Sequence, residues 1–254
     1  VAGRPPESNV PESNVPESNV PESNVTERKL GIAASAAPAS TSVNAAASYV
    51  AIALLVLCST ADAASACQKQ TRPVFQEDFK NADPGWGQPD NAAAFTAQGL
   101  ILTPPVSGSA WRTNANLSMA QGDWCIEVTS PAHLPTPADE DNVGSVGVWF
   151  WGSDLQNFYT ATVTLDGNAS VDRLNHGIWQ IVVPPTSAPS VKTAPGATNE
   201  IEIVTSGNRA GFYVNGTLVT NITGRAPANG GPPGIYGESG PTGTQWVISR
   251  AALY

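Results

Sequence analysis

Gly211-Phe212-Tyr213-Val214-Asn215-Gly216 is the stretch that decides the fold. Phe212 to Val214 is a short β-prone run, and Asn215-Gly216 is the residue pair that accepts positive φ at both centres of a tight hairpin. Leu218-Val219 then resumes the apolar pattern, so the stretch reads as strand, turn, strand.

Working outward, the same grammar repeats. Asp166-Gly167 joins the alternating runs Phe158 to Leu165 and Ala169 to Leu174, and Ser206-Gly207-Asn208 joins Ile203 to Phe212. Further short runs are Val74 to Phe79, Ala94 to Leu102, Trp124 to Thr129, Val146 to Trp151, Trp179 to Val183, Glu200 to Thr205, Thr217 to Thr223, Gly234 to Tyr236 and Gln245 to Tyr254. No amphipathic helical period survives after residue 66, because Pro and Gly recur too often. The pattern predicts an all-β, antiparallel jelly-roll sandwich. Residues 146 to 223 are expected to form a meander of hairpins, and the last strand to return beside the first near Phe79.

Upstream the composition changes. Pro6 to Val25 is four copies of Pro-Glu-Ser-Asn-Val. One Val per five residues cannot bury a face on a neighbouring repeat, so residues 1–29 read as a disordered tract. Residues 30–66 follow the basic pair Arg28-Lys29 and carry an apolar run, Tyr49 to Leu57, then small residues at Ala61-Asp62-Ala63 and Ala64-Ser65-Ala66. That order is a secretory signal region. The apolar run is shorter than the ~20 residues a bilayer span needs. The expected product is a secreted or periplasmic single domain, residues 67–254, with no stable membrane insertion after cleavage. In an oxidising compartment Cys67 and Cys125 would pair as a disulfide.

The whole chain has 12 Lys/Arg against 21 Asp/Glu, a net charge of −9. From Cys67 onward nine Lys/Arg face fifteen Asp/Glu, a net of −6. This acidic balance argues against nucleic acid, whose binding calls for a basic stripe.

Alternation along the strands assigns faces. Val146, Val148 and Phe150 share one face with Tyr159, Ala161, Val163 and Leu165, the apolar set expected in the core. Trp149 and Trp151 then share the opposite face with Thr160, Thr162 and Thr164. Aromatic faces stack on the apolar faces of sugar rings, while hydroxyl and amide groups bond ring hydroxyls. Trp149 and Trp151 are therefore candidate stacking residues, with Asn157, Thr160, Thr162 and Arg173 as polar partners. The competing reading buries both Trp under loops. Trp86, Trp111, Trp179 and Trp246 are expected as core or cover.

Glycoside hydrolysis needs two carboxyl groups across a cleft. By spacing, Glu200 and Glu202 are the candidate pair, although carboxylates alternating with Ile201 and Ile203 also describe a solvated strand face. Asp139 and Asp141, in the acidic loop Asp139-Glu140-Asp141-Asn142, are candidate calcium ligands or a solvated charge run. No other cofactor is implied. His133 and His176 stand apart, with no nucleophile elbow or zinc spacing near them.

Asn157-Phe158-Tyr159, Asp166-Gly167, Arg173, Gly177-x-Trp179, Asn199-x-Ile201-x-Ile203 and Phe212-x-Val214-Asn215-Gly216 together resemble the concanavalin A-like lectin/glucanase superfamily. Within it the chain is similar to the bacterial laminin-G-like group that includes the 3-keto-disaccharide hydrolase domain. The resemblance spans roughly residues 75–254 and implies a sugar ligand held by the concave sheet. In the hydrolase domain the strands matching Gly147 to Trp151 and Tyr159 to Val163 carry charged or amide groups, where this chain has Trp151, Thr160 and Thr162. The departures favour a non-catalytic carbohydrate-binding module. A 3-keto-disaccharide hydrolase or glucanase-like enzyme, and an adhesion or structural module with a protein partner, are the two alternatives.

Overall fold

The computed structural model describes residues 67, 71–132 and 144–254. The repeat tract, the leader region, His133 and the Asp139–Asp141 loop lie outside the described residues.

Among the described residues fourteen strands run in chain order: β1 (Phe75–Glu77), β2 (Ala93–Thr96), β3 (Gly99–Leu102), β4 (Ser109–Thr113), β5 (Gly122–Thr129), β6 (Ser145–Asp154), β7 (Asn157–Thr164), β8 (Asn168–Asn175), β9 (Ile178–Ser187), β10 (Thr198–Ser206), β11 (Arg209–Val214), β12 (Thr217–Thr223), β13 (Gly234–Glu238) and β14 (Trp246–Leu253). One 3-10 turn, Pro84–Trp86, is the only helical element among the described residues. No helix among them is long and apolar enough to cross a membrane.

The strands form two antiparallel sheets. One has the order β12-β11-β10-β5-β14-β3-β2, with β1 also on β14; the other has the order β4-β13-β6-β7-β8-β9. β14 pairs with β3 through Trp246 to Ile248 and with β1 through Ala251 to Leu253, so the last strand lies beside the first as the jelly-roll reading expects. The expected single meander is in fact two. β6 to β9 stay in the six-stranded sheet and β10 to β12 in the other, so the chain changes layers between Ser187 and Thr198. Ala94 to Leu102 is a hairpin rather than one strand, and β4 went unpredicted.

The turns match their chemistry. Asn215 and Gly216 have φ of 50° and 75°, and Gly167 has φ of 87°. The inner faces pack as alternation predicts: Val146, Val148 and Phe150 of β6 meet Ile126 of β5, Ile201 and Ile203 of β10 and Phe212 of β11 in one buried core. Trp124 is fully buried, and its indole N–H donates to the Gly234 carbonyl at 2.8 Å, so β5 and β13 are tied across the layers. Cys67 and Cys125 are joined with Cα atoms 5.4 Å apart, anchoring Cys67 to β5. Tyr254 Oη donates to the Cys67 carbonyl, which ties the C-terminus to the same point.

Candidate ligand-binding groove

A groove lies on the outward face of the six-stranded sheet. β7 supplies Thr160, Thr162 and Thr164, the residues that alternate with its buried Tyr159, Ala161 and Val163. Across the Asp166-Gly167 turn, Thr162 pairs with Ser170 and Thr160 with Asp172. On the other side of β7, Thr164 pairs with Ser145 and Thr162 with Gly147. A Cβ at Gly147 would lie 1.9 Å from the Ala161 carbonyl oxygen, so only glycine fits there. β13 adds Tyr236 and Glu238, and Trp179 and Pro185 of the edge strand β9 form the far wall. The cavity is about 330 Å³, and an adjoining one of about 230 Å³ shares Trp179, Tyr236 and Glu238.

Trp179 closes this groove. It remains 48% exposed, with its ring edge-on to Phe158 at 5.5 Å and to Tyr236 at 6.1 Å. β9 and β13 are four places apart in the sheet, about 19 Å if it were flat. Their rings meet over the face, so the sheet curls and the Thr row becomes a floor.

The polar groups form two short chains. Tyr236 Oη donates to Glu238 Oε1 at 2.8 Å, and Ser145 Oγ donates to Oε2 at 2.9 Å. Ser170 Oγ donates to Asp172 Oδ2 at 3.3 Å. Thr162 Oγ1 lies 3.2 Å from Ser170 Oγ, and since Ser170 uses its proton on Asp172, Thr162 is the donor there. Burial raises the Asp172 carboxyl above the ordinary 3.8, the negative charge of Glu238 adds to this, and the Ser170 hydrogen bond opposes it. Burial, then Glu238, also holds the Tyr236 phenol far above its usual range, so it stays a neutral donor. No Lys, Arg or His lines either cavity.

The other half of this face is filled. Trp149 stacks on Phe158 at 3.5 Å and on Trp111 at 6.2 Å, and is only 2% exposed. It faces outward as expected but supports the aromatic floor instead of presenting a platform. Trp151 corrects the face assignment. The register breaks between Phe150 and Asp154, Trp151 adopts φ of 48°, and its side chain turns to the inner layer against Phe150 and Tyr159. One left-handed residue reverses the parity that alternation relies on.

Thr160 and Thr162 lie in the groove. Arg173 does not, because it pairs with Tyr159 and shares the inward parity of Val171. Its guanidinium lies 5.3 Å from the Tyr159 ring centre. Asn157 sits at the hairpin end, where its amide donates to Asp154 and its Oδ1 accepts from the His176 N–H. Glu200 and Glu202 lie on the other sheet, opposite Glu127 and Cys125, while Ile201 and Ile203 point inward. Both acids are thus on the far outer face of the sandwich, and the carboxylates that share a groove are Asp172 and Glu238. Asp172 was legible, since counting across the Asp166-Gly167 hairpin puts it beside Thr160. Glu238 needed the long-range pairing of β13 with β6. Among the described residues no cluster of His, Cys, Asp or Glu is arranged to hold a metal.

No family model and no curated protein sequence matches the chain. Solved structures do. The carbohydrate binding module CBM66 from Bacillus subtilis superposes with a TM-score of 0.50 at 14% identity, covering 63% of this chain and 89% of that one. A structure described as a native glycosidic hydrolase also gives 0.50, at 12% identity over 71% and 94%. A Bacillus licheniformis beta-glucanase gives 0.49, at 13% identity over 72% and 99%. At such identities the likeness concerns the backbone alone: this chain has the concanavalin A-like jelly-roll fold.

Proposed function

We propose that the groove binds a carbohydrate without cleaving it. One observation carries this: a half-exposed Trp179 stands over a floor of Thr, Ser, Tyr, Asp and Glu oxygens. A sugar presents apolar C–H faces and a rim of hydroxyls, and needs just this pairing of an aromatic surface with polar groups. With no cation in the lining, the groove suits neutral rings better than acidic ones. The carbohydrate-binding module among the structural neighbours is consistent with the reading. Export through the leader region is part of the proposal, and the Cys67–Cys125 link supports an oxidising destination.

A hydrolase is the second reading, favoured by the two carboxylates in one groove. Asp172, raised by burial, would suit a general acid. Against it stands the engagement of Glu238. Both Glu238 oxygens already accept from hydroxyls, which suits a fixed acceptor of sugar hydroxyls more than a mobile base. The test is a glycan-array screen of the full chain, followed by incubation with each hit. Retention without product supports a binding module; new reducing ends sink the non-catalytic reading, and no retention of any glycan sinks both.

A further inference from the structure

A second cavity, of about 240 Å³, opens at the hairpin end of β6 to β9, away from Glu238. Trp151, Asn157, Tyr159, Arg173, His176 and Arg225 line it. It gathers two guanidinium groups and an imidazole in a chain whose net charge is −9.

Among the described residues the two arginines have no acid as partner. Arg173 lies against the Tyr159 ring at 5.3 Å, and its Nη2 donates to Asn175 Oδ1 at 2.9 Å. The Arg225 backbone N–H donates to Tyr159 Oη at 3.2 Å, so the same tyrosine fixes the backbone from which Arg225 extends. Arg112 and Arg250 each have a carboxylate partner, Asp90 and Glu127. No carboxylate lies within ion-pairing distance of Arg173 or Arg225 among the described residues. Asp154 is the nearby acid in the hairpin, and its oxygens are occupied by the Ser153 hydroxyl, the Gln156 N–H and the Asn157 amide. Trp151, which lines the cavity, is buried, and its indole N–H has no acceptor among the described residues.

We infer that this cavity is an oxyanion site, taking a carboxylate or sulfate group alone or on a single ring. Like charges brought together repel, and an anion between them removes that penalty. Guanidinium forks match planar carboxylates and tetrahedral oxyanions bidentately, and that of Arg173 is pre-organised by stacking on Tyr159. The volume is below the ~300 Å³ at which drug-sized pockets begin, so the occupant is small.

The test titrates the full-length, ¹⁵N-labelled protein with sodium sulfate, sodium glucuronate and neutral glucose, at ionic strength held constant with chloride. The readouts are the Trp151 indole and Arg225 amide resonances. Saturable shifts with sulfate or glucuronate but not glucose are expected. Tighter glucuronate identifies a sugar-borne carboxylate, and tighter sulfate a sulfate group; either supports the site. Arg225→Gln, at an exposed position that folding does not depend on, should weaken binding about tenfold. Trp179→Ala should leave it unchanged, which separates this site from the groove. Shifts that do not saturate, or an affinity that Arg225→Gln leaves intact, would overturn the inference.

Discussion

Replacing Trp179 with Ala tests the groove most directly. The side chain is 48% exposed, and an aromatic side chain has up to ~250 Å² to bury, so about 120 Å² stays available to a ligand. At ~25 cal/mol per Å², covering all of it is worth about 3 kcal/mol. A sugar ring covers one face of the indole and leaves the other, which halves the figure to about 1.5 kcal/mol, or roughly tenfold in Kd. The lost edge contacts to Phe158 and Tyr236 cost about 1 kcal/mol each beyond the area they bury, a loss on the outer face that leaves the inter-sheet core intact, so the variant remains native. Isothermal titration with an oligosaccharide retained in the array screen should show the tenfold loss with an unchanged far-ultraviolet spectrum. Wild-type affinity in Trp179→Ala would refute stacking in this groove and the functional reading built on it.

Three further outcomes are expected. Asp172 has a folded-state pKa above its unfolded 3.8, so its contribution to stability is present below that pH and is lost as pH rises through the folded value; Asp172→Asn should therefore raise Tm more at pH 7 than at pH 4, and equal changes would contradict it. Removing the disulfide with Cys67→Ala and Cys125→Ala frees a 58-residue separation and should cost about 4 kcal/mol in urea unfolding by the loop-closure argument; a loss below about 1 kcal/mol would show that the link does not constrain the unfolded chain. Gly147→Ala pushes a Cβ onto the Ala161 carbonyl and should destabilise by about 3 kcal/mol, with glycan binding lost alongside folding; a native Tm would mean that β6 and β7 shift to admit it.

Much of the fold was legible because antiparallel hairpins are local. Asn215-Gly216 and Asp166-Gly167 announce their turns, and period-two alternation then sorts Val146, Val148 and Phe150 from Thr160 and Thr162 without any knowledge of the partner sheet. What failed was non-local. Ala188 to Ala197 carries the chain between layers, and nothing in those residues distinguishes such a crossover from a longer hairpin loop. Ser109 to Thr113 becomes β4 only because β13, more than a hundred residues later, lies beside it. Glu238 enters the groove by the same pairing, so spacing alone directed attention to Glu200 and Glu202. Trp151 failed for another reason: a single positive φ at a non-glycine residue leaves no mark in the sequence pattern.

The aromatic residues explain why the groove is short. Trp149, Phe158 and Trp111 fill the end of the sheet face where β7 begins, and Thr160, Thr162 and Thr164 line the remainder. Trp179 stands at the boundary, resting edge-on against Phe158, which rests in turn on Trp149. Trp149 thus acts on a ligand only through the ring it supports. A fully buried Trp truncated to Ala costs about 3–5 kcal/mol, a large share of the ~5–15 kcal/mol by which a domain is stable. Removing Trp149 and Trp151 together would abolish retention by unfolding the sandwich, whatever the groove does. Only a substitution at the exposed end of the stack separates recognition from stability, and Trp179 is the residue that provides it.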